Sequence, residues 1–314
     1  MASLVAVTGA TGFIGTHLVR RLAADARPVR ILTRRIPADR HFPLPKVEAV
    51  IGDLSDPKAL DRLLTGAGNV IHLAGAVKAG SAEAFQQANV LGTRAIAEAA
   101  ARQANCRFIH VSSLAAREPQ LSDYALSKSD AELEIGKLSS GLRWIIIRPP
   151  AVYGPGDRET LGFFKSAARG FLPQPGPSNQ RISFIDVNEL CDFIKVISET
   201  TRGDGQTVEV DDGAAEGYSW PEIGAAMASA TGKQLRTVRL PGFAVHAAAA
   251  LNAASHRILG ANTVFTPGKA RELRHPDWVA RPWGDDMFAS WKPSCLLPEG
   301  FAKTMLWYRH AGWL

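Results

Sequence analysis

Short apolar runs alternate with longer amphipathic stretches along the first half of the chain. "SLVAVTG" (3–9) is an apolar run ending in glycine, which predicts a buried strand. "TGFIGTHLVRRLAADA" then places Phe13, Ile14, Leu18, Val19 and Leu22 on one side of a helix. "PVRILTR" (28–34), "VEAVIGDL" (47–54), "NVIHLAG" (69–75), "RFIHVSS" (107–113) and "RWIIIRPP" (143–150) are aliphatic and β-branched, and predict further strands. Between them, "DPKALDRLLTG" (56–66) predicts a helix with Pro57 in its first turn and Gly66 at its end. Helices are also predicted over 82–103 and 124–138. Strands alternating with helices in this way mean a parallel sheet covered on both faces, and right-handed crossovers make it doubly wound.

After Pro150 the pattern changes. "LPQPGPSNQ" (172–180) reads as a loop, and helix-like segments near 158–169, 186–199, 219–231 and 243–258 alternate with short strands. The fold class expected is α/β: a doubly wound parallel sheet with a smaller, partly helical C-terminal unit. The expected division is 1–157 for the first domain, with 182–199 packing back on it, and 158–314 for the second. There is no internal repeat.

Composition narrows the function classes. With 314 residues, 46% of them hydrophobic, the chain can build a large core without a disulfide or metal staple. Cys106, Cys191 and Cys295 are few, odd in number and outside any CxxC arrangement, which predicts reduced thiols, a cytoplasmic location and no structural metal. The net charge of +6 is spread along the chain, with no basic run beyond pairs such as Arg20-Arg21 and Arg34-Arg35. That favours anionic small ligands over nucleic acid. The N-terminus lacks a charged leader pattern. The most apolar stretch, "FAVHAAAALNAASHRILG" (243–260), is interrupted by His246, Asn252 and His256, so it reads as an Ala-rich helix and not a membrane span, with a peripheral membrane contact left open.

The first candidate chemistry is "TGATGFIG" (8–15). Gly9 permits a tight turn, Gly12 lets backbone approach a pyrophosphate, and Gly15 lets helix and strand pack closely. A helix N-terminus aimed at phosphate completes a dinucleotide cradle. After the second strand, where an acidic residue would bind the ribose of NAD, the chain has Thr33, Arg34 and Arg35. A guanidinium grips a 2′-phosphate, so NADP is favoured over NAD, with Arg34 the main contact.

The second is "SDYALSKSDAE" (122–132), which sets Tyr124 and Lys128 one helical turn apart on one face. With "GDL" (52–54), "HLAG" (72–75), Asn89 in "ANVLGT", "VSS" (111–113) and "RPPAVYGPGD" (148–157), the chain resembles the extended short-chain dehydrogenase/reductases, the NAD-dependent epimerase/dehydratase superfamily. That resemblance implies a Rossmann-type fold and a catalytic set of Ser113, Tyr124 and Lys128. Tyr124 would be the general acid/base. A free tyrosine has a pKa near 10, and bringing it to neutrality takes roughly 4 kcal/mol, which a nearby ammonium can supply. Lys128 would also hold the nicotinamide ribose, and Ser113, with Ser112 next in line, would polarise the substrate oxygen. The resemblance further implies cofactor contacts from Gly9, Thr11, Gly12, Phe13, Ile14 and Gly15, from Asp53 and Leu54, from Leu73, Ala74 and Gly75, and from Pro149 and Val152. Asn89 reads as a support for the helix or a water. His17, His72 and His110 read as structural.

The reaction expected is NADP(H)-dependent interconversion of a secondary alcohol and a ketone, as in the dihydroflavonol-reductase and hydroxysteroid-dehydrogenase branches. The alternatives are a sugar-nucleotide epimerase or dehydratase with tightly held NAD(P), and a non-catalytic dinucleotide-bound structural or sensor protein. Two features speak against a nucleotide sugar: the segment between Ser113 and Tyr124 is short, and Ile182 falls where such epimerases carry a diphosphate-binding arginine, with Arg181 facing the other way. The expected partner is a small-molecule substrate, and the resemblance allows a homodimer through helices 82–103 and 124–138.

Overall fold

A computed structural model describes residues 3–36, 47–259, 265–281, 288 and 290–314, without the side chains of 254–259. The last residue of the apolar 243–260 stretch lies outside the described residues. β1 (Leu4–Thr8) runs through the glycine loop into α1 (Phe13–Ala24), whose buried stripe of Leu18, Val19 and Leu22 faces the sheet core. β2 (Val29–Thr33) and β3 (Val47–Ile51) follow. α2 (Pro57–Leu64) starts where Asp56 accepts the N–H groups of Lys58 and Ala59, a cap that supplies two of the orphan donors of the first turn. β4 (Ala67–His72) comes next.

The helix expected over 82–103 is interrupted. α3 (Ala82–Phe85) passes into a π-helical turn, Gln86–Leu91, before α4 (Gly92–Ala101). β5 (Arg107–Val111) is buried throughout. α5 (Asp123–Lys137) begins at a Ser122 cap that accepts from Ala125 N–H, and β6 (Arg143–Arg148) ends the run.

The remaining elements are β7 (Ala151–Tyr153), α6 (Leu161–Ala168), β8 (Phe171–Gln174), β9 (Arg181–Ile182), β10 (Phe184–Asp186), α7 (Val187–Ser198), β11 (Gln206–Glu209), β12 (Tyr218–Ser219), α8 (Trp220–Thr231), β13 (Arg236–Arg239), α9 (Gly242–Leu259), α10 (Pro267–Arg274), β14 (Asp277–Trp278) and α11 (Leu297–His310).

One sheet has seven strands in the order β11-β6-β5-β4-β1-β2-β3, and the registered pairs from β3 to β6 are parallel. The fold is a Rossmann-type α/β fold. Strand order reverses between β1 and β4, and a crevice at that point, outside the carboxyl ends of the strands, is where such sheets bind ligands. Leu60, Leu63, Ile96, Phe108 and Ile146 pack in the core of this sheet.

The chain divides into two units. The first is 1–148 with 191–208 and 283–290; the second is 149–190, 209–282 and 291–314. The first therefore ends at Arg148, ahead of the 157 boundary expected, because the chain leaves the sheet at Pro149 and Pro150, which cannot donate to a ladder. It takes up residues again from Cys191, within the 182–199 stretch. The second unit has short two- and three-stranded pieces (β7 with β10, β12-β9-β14, β8 with β13) and a core of its own. In that core Phe164, Phe184, Trp220, Phe301 and Tyr308 pack among α6, α8 and α11. Among the described residues no helix is long and apolar enough to cross a membrane.

Candidate active site

The glycine loop is built by backbone packing. Gly9 has φ +70°, and a Cβ there would sit 2.5 Å from the Ala74 nitrogen. A Cβ on Gly15 would lie 2.1 Å from the Gly9 carbonyl oxygen. The loop is thus pressed between the start of α1 and the end of β4, with Leu73 N–H donating to Thr8 O at 3.1 Å. Gly12 is the N-cap of α1 and has no side chain to satisfy the first-turn N–H groups, Phe13 and Ile14 among them. Thr11 and Gly12 are exposed. Uncapped donors at the positive end of a helix, over a surface with no side chain in the way, fit a pyrophosphate.

The same sheet edge carries the other cofactor candidates of the first unit. Arg34 follows β2 and is exposed. Asp53 follows β3. The hydroxyl of Ser55 at 2.6 Å and its N–H at 2.8 Å hold the Asp53 carboxyl below its ordinary pKa, with a smaller pull from the Arg34 charge. Leu54 turns inward onto Gly92, where an added Cβ would meet it at 2.8 Å. Leu73, Ala74 and Gly75 follow β4. Pro149 and Val152 lie in the second unit, Val152 on β7 opposite Ile185, so the cluster within the first unit does not include them.

Ser113 follows β5 and accepts from Ala115 N–H at 3.2 Å. Tyr124 is half-buried in the first turn of α5, its ring 6.0 Å from that of Phe85. Lys128 is buried, and its Nζ donates to Val111 O at 3.1 Å, which ties α5 to the last residue of β5. Burial pulls the Lys128 ammonium down to about 8, partly offset by the Glu132 carboxylate.

Three sets of polar groups support these residues. Ser112 is committed: its hydroxyl donates to Glu132 Oε1 at 2.5 Å, and Arg148 grips the same carboxylate through Nε and Nη2. The signal was present, since Glu132 lies one turn beyond Lys128 on α5. Asn89, in the π-helical turn, bonds both the N–H and the carbonyl of Ala76 and donates to Ser127 Oγ at 2.8 Å, so it braces the strand-end loop against α5. Beneath these, His72 and His110 face each other in the β4–β5 register and stack at 5.3 Å. His72 bonds Thr8 and Thr93, and burial, with the Lys128 charge adding to it, drives its pKa to about 3. His110 is driven down by the same causes, and both its ring nitrogens lack partners.

No group of three or more metal-ligating side chains occurs among the described residues, and the three cysteines are free thiols.

Residues 5–210 match the family model for the NAD dependent epimerase/dehydratase family. The chain belongs to that family. Its members of the extended short-chain dehydrogenase/reductase type are NAD(P)-dependent enzymes, and this chain is one of them. It is 44% identical over 311 residues to a ceramide reductase of Caulobacter vibrioides, covering 99% of this chain and 96% of that one. It is 28% identical over 216 residues to a 2-alkyl-3-oxoalkanoate reductase of Stenotrophomonas maltophilia, covering 60% and 64%. Among solved structures, MoeE5 in complex with UDP-glucuronic acid and NAD superposes with a TM-score of 0.74 at 21% identity, covering 99% of this chain and 100% of that one. That likeness shows the fold alone.

Proposed function

We propose that this chain is an NADP(H)-dependent reductase that converts a ketone on a long-chain lipid, an oxidised ceramide, to the secondary alcohol. The observation that carries the reaction class is the Lys128 ammonium, buried and anchored on Val111 one helical turn from Tyr124. The substrate class rests on the end-to-end identity with the ceramide reductase.

The glycine loop and Lys128 would hold a reduced nicotinamide cofactor, which would supply the hydride. Ser113, its oxygen already accepting from Ala115 N–H, turns its own proton toward the substrate carbonyl oxygen and steadies the charge that grows there. Tyr124 hands its phenolic proton to that oxygen, completing the alcohol, and the Lys128 charge stabilises the tyrosinate left behind. Solvent reprotonates Tyr124. Arg34, exposed after β2, would pair with the 2′-phosphate of NADP. Arg181 supports a substrate other than a nucleotide sugar, because its guanidinium is occupied by the carbonyls of Glu216 and Gly217 at 2.6 and 2.9 Å.

The test follows NADPH absorbance with an oxo-ceramide and, separately, with UDP-glucose. Net oxidation with the lipid, lost by about a hundredfold or more in Tyr124→Phe, supports the reading. Conversion of the sugar nucleotide with no net change in NADPH supports the epimerase instead. Calorimetry of NADP⁺ and NAD⁺ tests the cofactor: Arg34→Ala should weaken NADP⁺ about tenfold or more and leave NAD⁺ unchanged.

A further inference from the structure

The second unit carries an apolar surface that no other described part of that unit covers. α9 has two opposite faces. Val245 and Ala249 are buried against Ala270 of α10, with Phe265 packed on them. The stripe of Phe243, Ala247, Ala250 and Leu251 follows helical spacing and points outward, with Phe243 80% and Leu251 72% exposed. The chain enters α9 directly from β13 through Leu240 and Pro241, which are exposed, and Val245 N–H closes the turn on the Pro241 carbonyl.

β13 extends this surface. It pairs with β8 so that Arg236 lies opposite Phe171 and Val238 opposite Pro173. Paired residues project to the same side of a ladder. Leu172 and Gln174 point to the buried side, so Phe171, Arg236 and Val238 share the outer one. Phe171, Val238, Leu240, Phe243 and Leu251 thus give a run of exposed large side chains with Arg236 beside them, a pattern isolated soluble surfaces seldom carry.

Charge says what this surface fits. Between Glu222 and Glu272 the chain contains no aspartate or glutamate, whereas Lys233, Arg236 and Arg239 fall on or beside β13. A second copy docked face to face would bring these like charges together with no carboxylate from the segment to offset them. A bilayer with anionic headgroups meets both needs: phosphates for Arg236 and acyl chains for Phe243 and Leu251.

We infer that the β8–β13 ladder and the outer face of α9 form a docking surface for an anionic phospholipid membrane, on which this chain lies peripherally. The inference stands apart from the reductase reading, because its test measures no turnover.

The experiment is flotation of the full chain with vesicles of phosphatidylcholine alone or of phosphatidylcholine and phosphatidylglycerol in equal parts. The protein should rise with the anionic vesicles, stay down with the neutral ones, and be released by raised salt. Arg236→Gln should lower the partition about fivefold. Phe243→Ser with Leu251→Ser should lower it about tenfold or more, and since all three positions are exposed the variants should melt as the parent does. Failure to float with anionic vesicles, or equal flotation of parent and variants, overturns the inference. So does a concentration-dependent dimer in sedimentation that Phe243→Ser with Leu251→Ser abolishes, because a second copy then covers the face.

Discussion

Ser112 donates its hydroxyl to the carboxylate of Glu132 at 2.5 Å, and this one bond joins the end of β5 to the third turn of α5. Glu132 is buried and also holds Arg148, so it fixes the strand end that precedes Ser113 and the helix that carries Tyr124 and Lys128. Removing it takes from the Arg148 guanidinium and the Ser112 hydroxyl the acceptor they share. Glu132→Ala should cost about 3 kcal/mol in urea unfolding, and Arg148→Ala a similar amount. The double variant should cost clearly less than the sum, since each single change already breaks the pair.

Lys128 trades stability for chemistry. Its pKa is lowered from 10.5 to about 8 by burial, so the unfolded chain binds the proton more tightly. Stability tied to this group is complete above about pH 10.5 and is lost as pH falls through about 8. At pH 7 the fold therefore bears the cost of a buried ammonium. Lys128→Met should raise unfolding free energy at pH 7 by about 2 kcal/mol while turnover falls about a hundredfold or more. In the parent, turnover should decline as pH rises past about 8, where the ammonium loses its charge. A Met variant less stable than the parent at pH 7 would refute the account.

The stacked histidines set the acid limit. His72 is neutral in the fold down to about pH 3 and would protonate near 6.5 in the unfolded chain, and His110 is shifted in the same direction. Stability from both is complete above about pH 6.5 and drains away as the medium becomes more acidic. Unfolding free energy should drop by up to about 1.4 kcal/mol per pH unit for His72 between pH 6 and 4, and His110 should add to the fall. His110→Phe should keep the stack and make the slope shallower.

The glycines of the loop should separate in their roles. Gly15→Ala forces a Cβ onto the Gly9 carbonyl, backbone against backbone, and should cost about 3 kcal/mol of stability. At Gly12 the nearest atom to an added Cβ is 3.2 Å away on an exposed surface, so Gly12→Ala should cost under about 1 kcal/mol. It should still weaken dinucleotide binding in calorimetry, because the methyl stands where the pyrophosphate would approach.

Much of the first unit was legible in the sequence. Strand and helix order, the Asp56-Pro57 start of α2, the glycine loop and the one-turn spacing of Tyr124 and Lys128 are local properties. They depend on side-chain periodicity and on backbone freedom within a few residues. The break of the long helix into a π-helical turn at Gln86–Leu91 was not legible, because it answers to Asn89 reaching Ala76 and Ser127, residues that meet only in the folded chain. The β4–β5 register that stacks His72 on His110, the choice of Ser112 as partner of Glu132, and the outward turn of Phe243 and Leu251 likewise wait on packing. Sequence by itself decides what each segment can become; which polar group is buried beside which is decided by distant strands and helices competing for the same interior, where an unpaired charge is too costly to leave alone.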